Sequence, residues 1–173
     1  VRESKKRLRG GTALTEYCFI VIFALDFERI YMTRIIRLAE QKDISALTVL
    51  FNSDTRIFGE DATGFGERDV AEYIQDGKKK VFVFESEGRL SGALMADYHD
   101  SYSHLETLIV DPRAQQQGVG TALLEHYEKG LDTLGITLIE VMTATDNTVM
   151  QKILEERGFS KGNTFVFYSR WRQ

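Results

Sequence analysis

A chain of 173 residues with 43% hydrophobic and 28% charged side chains is long enough for one domain with its own core, and too apolar for wholesale disorder. Its net charge of -4 argues against a general nucleic-acid binder and is compatible with a cationic partner such as an amine. The one cysteine, Cys18, excludes an internal disulfide and a cysteine zinc cluster, and with three scattered histidines no metal site is expected.

The first thirty residues differ from the rest. Arg2, Lys5, Lys6, Arg7 and Arg9 form a basic head, and Tyr17 to Leu25 form an apolar run ended by Asp26. No small-residue cleavage site follows, and the run is too short to span a bilayer as a helix. No membrane association is expected, and a cytoplasmic location is. Thr33 to Leu38 reads as a strand and Glu40 to Phe51 as a helix, with Ile44, Leu47, Leu50 and Phe51 along one stripe. Asn52 to Arg68 is a long connection, of the kind that usually carries a function or is mobile. Asp69 to Gln75 caps and starts a short helix. Val81 to Glu85 and Leu90 to Tyr98 read as a hairpin turning at Glu87-Gly88. The lysine run Lys78 to Lys80 reads as a solvated face beside that hairpin.

His104 to Glu125 is the most informative stretch. Leu105 to Val110 has the branched, apolar character of a strand, and Asp111-Pro112 stops it. A polar loop, Arg113 to Gln117, leads to Gly118-Val119-Gly120. A helical pattern follows, in which Val119, Ala122, Leu123, Tyr127 and Leu131 recur at three- and four-residue spacing. A strand, a glycine-bearing turn and a helix start, in that order, aim unpaired N–H groups and a positive helix end at one point, which suits an anion such as a pyrophosphate. A dinucleotide fingerprint fails because Leu123 stands where its third glycine belongs, and a nucleotide-triphosphate loop fails for want of Gly-Lys-Ser/Thr. Beyond Gly130 and Gly135, Thr137 to Thr143 reads as a strand apolar on both faces, as in the middle of a covered sheet. Thr148 to Arg157 is a helix opened by Asp146-Asn147 and ended by Gly158. Phe165 to Trp171 alternates as a last strand. This order predicts an α/β domain with a mixed central sheet flanked by helices.

Gln115-x-x-Gly118-x-Gly120 after Val110-Asp111-Pro112 closely resembles the acyl-CoA-binding segment of the GNAT superfamily of N-acyltransferases. Asn147-x-x-Met150-x-x-Ile153-Leu154-Glu155-x-x-Gly158-Phe159 resembles the family's second cofactor-side motif. Two motifs at the expected separation are stronger together than either alone. The resemblance spans about residues 32–171, with Thr33 to Ala39 like the family's usual first strand. It implies that residues 1–31 are an upstream extension outside a domain of residues 32–173, and it implies the GNAT fold with acetyl-CoA as cosubstrate. It implies that Gln115, Gln117, Gly118, Val119, Gly120 and Thr121 hold the pyrophosphate, that the backbone of Leu108, Ile109 and Val110 pairs with the pantetheine arm, and that Asn147 lies on the pantetheine side. By local pattern Asn147 is equally a helix N-cap.

Two departures from the family pattern matter. Gln117 stands where many relatives have arginine or lysine, which removes a charge-assisted phosphate contact and leaves the amides and Arg113 to compensate. Leu154 stands where many members carry the tyrosine that protonates the departing thiolate. A thiol titrates near pH 8.5, so a thiolate can leave without full protonation, and water or another tyrosine such as Tyr168 could serve.

An amine nucleophile must lose a proton before or as it attacks. His104 and Glu106, two apart on a strand, share a face, which strict alternation extends to Leu108 and Val110. Glu106 matches a position often acidic in the family and is the first candidate for general base, acting through water. His104, of the residue type that titrates nearest neutrality, is the second. For the acceptor, the resemblance nominates Phe58, Glu60, Asp61 and Phe65 from the long connection, with Tyr98, Asp100 and Tyr102 before the central strand. Carboxylates beside aromatic rings suit an ammonium. The expected activity is direct acetyl transfer to a primary amine of a small molecule. The alternatives are a peptide or protein N-acetyltransferase and a catalytically weak CoA-binding module. Either a monomer or a homodimer fits.

Overall fold

The computed structural model describes residues 33–54, 64–164 and 166. Its elements are β1 (Arg34–Leu38), α1 (Ile44–Phe51), α2 (Glu67–Gln75), β2 (Lys79–Ser86), β3 (Arg89–Tyr98), β4 (Tyr102–Val110), α3 (Val119–Leu134), β5 (Leu138–Val141) and α4 (Thr148–Glu156). The strands form one five-stranded sheet in the order β1-β2-β3-β4-β5, antiparallel from β1 to β4 and parallel between β4 and β5. A mixed sheet with helices on both faces is the architecture the sequence predicts. The proposed extension at residues 1–31 and, apart from Val166, the predicted last strand Phe165 to Trp171 with Tyr168 lie outside the described residues.

Two apolar clusters sandwich the sheet. On one face α3 contributes Val119, Leu123, Leu124, Tyr127 and Leu131 against Phe84, Leu94, Ala96 and Leu105. On the other, Leu47, Leu50 and Phe51 of α1 and Val70 of α2 pack on Val81, Val83, Ala93, Met95 and Ile109. Successive residues of β2 and β3 feed opposite clusters, so the period of two in the sequence becomes two cores. Gly92 lets α3 come close: a Cβ there would lie 2.7 Å from Val119 Cγ1 and 3.1 Å from the Ile109 carbonyl. Because one of those neighbours is backbone, Gly92→Ala is expected to destabilise by about 1–3 kcal/mol through overpacking, read as a lower denaturation midpoint at unchanged slope.

Local chemistry sets the element ends. Asp43 accepts from the Glu40 N–H at 2.8 Å and takes both terminal nitrogens of Arg37 at 2.6 and 2.9 Å. The chain therefore passes through a tight helical turn, Gln41–Asp43, and α1 starts at Ile44 rather than Glu40. Arg37 also reaches Glu85 at 2.7 Å, joining β1, β2 and that turn. Gly66 precedes α2 and donates its N–H to Asp69 at 2.8 Å, so this helix begins two residues before the predicted start. Glu87 and Gly88 both have positive φ, 54° and 74°, the geometry that suits a two-residue hairpin between twisted strands. The expectation that residues 137–143 form an enclosed strand is corrected. β5 has four residues and Leu138 is half exposed, because α1 and α2 do not extend over it.

Candidate active site

The loop between β4 and α3 has the form the glycines demanded. Gly118 is the N-cap of α3 with φ +81°, a left-handed conformation that glycine adopts without the penalty a Cβ brings. Gln116 is also left-handed, at φ +59°. A non-glycine residue held there costs about 1 kcal/mol or more, and such outliers cluster where a loop is shaped for a ligand. The first N–H of this region with a backbone acceptor is that of Ala122, bonded to the Gly118 carbonyl at 2.9 Å. Among the described residues, no protein partner is found for the N–H groups of Gly118, Val119, Gly120 and Thr121. The N–H groups of Val119, Gly120 and Thr121, in the first turn of a sixteen-residue helix, point out of its positive end. The Gly120 Cα lies against β4, since a Cβ there would sit 3.5 Å from Val110 Cγ2 and 3.9 Å from Leu108 Cδ2.

Gln115 and Gln117 turn back on the loop, to the Val110 carbonyl at 3.4 Å and the Arg113 carbonyl at 2.9 Å. Arg113 does not compensate for the missing cation in this arrangement. Its guanidinium is held in two bonds by Asp111, at 3.0 and 2.7 Å, and that pairing with the Arg113 N–H holds the Asp111 carboxyl down to about 2.

β4 is irregular where the candidate bases lie. Met95 pairs with Thr107 and Ala96 with Leu105, so Glu106 is an extra residue without a partner on β3: a β-bulge. On the other side, pairing with β5 ends at Leu105–Val141. Glu106 is thus skipped in the pairing with β3 and is the first residue beyond the pairing with β5. From there to Val110 the β5-facing edge has no strand partner among the described residues. The bulge corrects the expected alternation. His104 pairs with Asp97 and shares the α1/α2 face with Glu106, as predicted. Leu108 and Val110, beyond the bulge, turn instead to the α3 face and pack on that core. A bulge is not visible in strand periodicity, which is why the even-numbered residues read as one face.

Glu106 accepts a hydrogen bond from Lys79 Nζ at 2.6 Å, and the same ammonium lies 2.9 Å from Asp97 Oδ1. Burial pushes the Glu106 carboxyl up; Lys79 opposes this and Asp97 adds to it. The reading of Lys79 as part of a solvated face is corrected, because its side chain is only 18% exposed. Sequence reasoning missed Lys79, Asp97 and also Tyr73, whose ring centre lies 5.1 Å from Nζ. Counting outward from the Glu87-Gly88 turn places Lys79 opposite Ala96. The skipped residue Ser91 shifts the register by one and brings Asp97 there instead.

The other predicted residues fall in different places. Tyr98 lies on the α3 face with its ring 6.0 Å from that of Tyr127, and burial pushes its phenol up to about 12. It is not brought together with Glu106. Tyr102 stacks on His99 at 4.3 Å at the turn into β4, with Asp100 exposed between them. Phe65 packs between Phe51 and Tyr73 in the second core. Phe58, Glu60 and Asp61 lie outside the described residues. Asn147 caps α4, its Oδ1 accepting from the Met150 N–H at 3.2 Å.

A family model described as the acetyltransferase (GNAT) family matches residues 44–159. The chain belongs to that family. As a GNAT member it is an acyltransferase with acetyl-CoA as cosubstrate. Solved structures of the same fold include AAC(6')-Iy in complex with a bisubstrate analogue, CoA-S-monomethyl-acetylneamine. It has 19% identity and a TM-score of 0.65 over 81% of this chain and 99% of that one. A ribosomal-protein-alanine N-acetyltransferase from Escherichia coli matches at 22% identity and a TM-score of 0.66, over 76% of this chain and 80% of that one. An aminoglycoside acetyltransferase from an uncultured soil metagenomic sample, in complex with sisomicin, matches at 16% identity and a TM-score of 0.65, over 80% and 97%. The residues present fit a CoA diphosphate in one respect that is visible directly: four donors without acceptors among the described residues, beside a strand edge without a partner among them. Leu154, where many GNAT members have tyrosine, is buried and only 6% exposed, so α4 supplies an apolar contact there and no proton. No described helix is long and apolar enough to cross a membrane.

Proposed function

We propose that this acetyltransferase transfers an acetyl group from acetyl-CoA directly to the primary amine of a small molecule. The observation that supports this best is an order along the chain: Glu106, the β4 edge from there to Val110 and the amides of Gly118 to Thr121, edge and amides alike without partners among the described residues, follow one another, and Gly120 packs against Leu108 and Val110. In this reading Gln115, Gln117, Gly118, Val119, Gly120 and Thr121 surround the diphosphate. The Leu108, Ile109 and Val110 backbone takes the pantetheine arm as an added strand would. Asn147, with its Oδ1 already used as a cap, offers its amide nitrogen to the pantetheine side. When bound, the coenzyme supplies an activated thioester. Glu106 takes the proton from the acceptor nitrogen through water, and His104 on the same face is the second base. A sheet end carrying two carboxylates and one ammonium keeps a negative charge for an incoming cation.

The second reading is acetylation of a peptide or protein amine. It is favoured by the similarity to the ribosomal-protein-alanine enzyme. One experiment separates the two: CoA-thiol release with acetyl-CoA and a panel of polyamines, aminoglycosides, amino acids and peptides. Turnover confined to small amines is expected. Turnover confined to peptides would favour the second reading. Tight acetyl-CoA binding without turnover of any amine would contradict both.

A further inference from the structure

Three adjacent strands each place one ionisable side chain at the same spot on the α1/α2 face: Lys79 from β2, Asp97 from β3 and Glu106 from β4. The strand residues that pack in the core beneath α1 and α2 are Val81, Val83, Ala93, Met95 and Ile109. The ladder puts Lys79 directly opposite Asp97, and Asp97 opposite His104, while the bulge brings Glu106 alongside. Lys79 Nζ is 2.6 Å from Glu106, 2.9 Å from Asp97 and 5.1 Å from the centre of the Tyr73 ring. An ammonium fixed by two carboxylates and an aromatic face cannot swing away as an exposed lysine does.

We propose that Lys79 and Asp97 are positioning residues for Glu106, acting in opposite directions on its affinity for the proton it takes from the acceptor amine. This rests on the acetyl-transfer reading above. A cation at hydrogen-bond distance favours the Glu106 anion, and a second carboxylate at the same ammonium disfavours it. Partial burial strengthens both effects. During transfer one proton leaves the acceptor nitrogen for Glu106, through water, as the nitrogen–carbon bond forms. The electron pair of the breaking carbon–sulfur bond leaves on the thiolate. Burial drives the Glu106 carboxyl upward and Asp97 adds to this against Lys79. Asp97, despite its own burial, is lowered by Lys79. Lys79 is raised because the two carboxylates outweigh its burial. The other charged or titratable groups that face this cluster include, among the described residues, Asp69 and Tyr73 on α2, His99 and His104, with Glu140 paired to His104 across β4 and β5, while Arg37, Asp43 and Glu85 pair with one another elsewhere on the face. They are unchanged in the variants below, so their contributions cancel in the comparison.

The test is the pH dependence of kcat/KM in Lys79→Met, Lys79→Arg and Asp97→Asn. Lys79→Met is expected to move the acid limb up by about one pH unit or more, with roughly tenfold lower activity on that limb and recovery at higher pH. Asp97→Asn is expected to move it down, and Lys79→Arg to leave it within a few tenths of a unit of the parent. A purely structural role would lower activity at every pH without displacing the limb. Limbs that stay in place, or move the same way in Lys79→Met and Asp97→Asn, would overturn the proposal. If Lys79→Met does not fold, Asp97→Asn decides, since it keeps the Lys79–Glu106 pair; an unmoved limb there overturns it. Carboxyl NMR titration of Glu106 in the same proteins needs no turnover. Opposed displacements of its titration with no amine acetylated would sink the acetyl-transfer reading while upholding the charge coupling. Coincident titrations in all variants would overturn the coupling.

Discussion

Thr121→Glu is expected to raise thermal stability slightly while weakening acetyl-CoA binding by a factor of about 10 to 100. Thr121 is exposed at the third position of α3, where a carboxylate meets the positive helix end and can reach back toward the cap. That favours the folded protein by about 0.3–1 kcal/mol. The same carboxylate stands among the N–H groups assigned to the diphosphate. At roughly 6 Å, and at an effective dielectric between surface and bulk values, each charge–charge repulsion is about 1–3 kcal/mol, which gives the stated factor. Opposite signs in the two measurements distinguish a binding site from a structural turn. A substitution that merely damaged the loop would lower both. Calorimetric titration with acetyl-CoA, paired with a thermal melt, reads the two quantities; unchanged affinity would place the diphosphate elsewhere.

Glu106→Gln is expected to lower kcat by about a hundred- to ten-thousand-fold at neutral pH, with acetyl-CoA affinity unchanged. The amide keeps the shape of the side chain, and Lys79 keeps Asp97 as its counter-charge, so the fold is not asked to bury a lone ammonium. The loss should shrink as pH rises and more of the acceptor is already neutral. His104→Ala is expected to cost far less, because His104 is paired in the ladder and Glu106 stands at the break. Steady-state rates for both variants across pH check this. Equal losses in the two would move the base to His104, or to a water that both orient.

Much of the architecture was legible because each strand and helix carries its own period. The cores of α1 and α3, the hairpin turn at Glu87-Gly88 and the glycine-bearing turn before α3 all follow from local rules that the chain obeys. Legibility fails at the register shifts. Ser91 on β3 and Glu106 on β4 each add a residue that no periodicity announces. One brings Asp97 opposite Lys79, and the other sends Leu108 and Val110 to the face opposite Glu106. The charge cluster that surrounds the candidate base is therefore a product of pairing between strands. It could not be found by inspecting Lys78 to Lys80, which looks like an ordinary soluble run. The reach of Arg113 was unreadable for a similar reason: Asp111, two residues away, takes its guanidinium.

The most direct test of the central claim is a residue-by-residue amide NMR titration of the protein with acetyl-CoA. Binding should displace the N–H signals of Gly118, Val119, Gly120 and Thr121 most strongly, with Leu108 to Val110 following and the α1 signals unmoved. Saturable binding that leaves those four amides in place, or no binding at all, would contradict the assignment of this loop as the seat of the coenzyme's diphosphate.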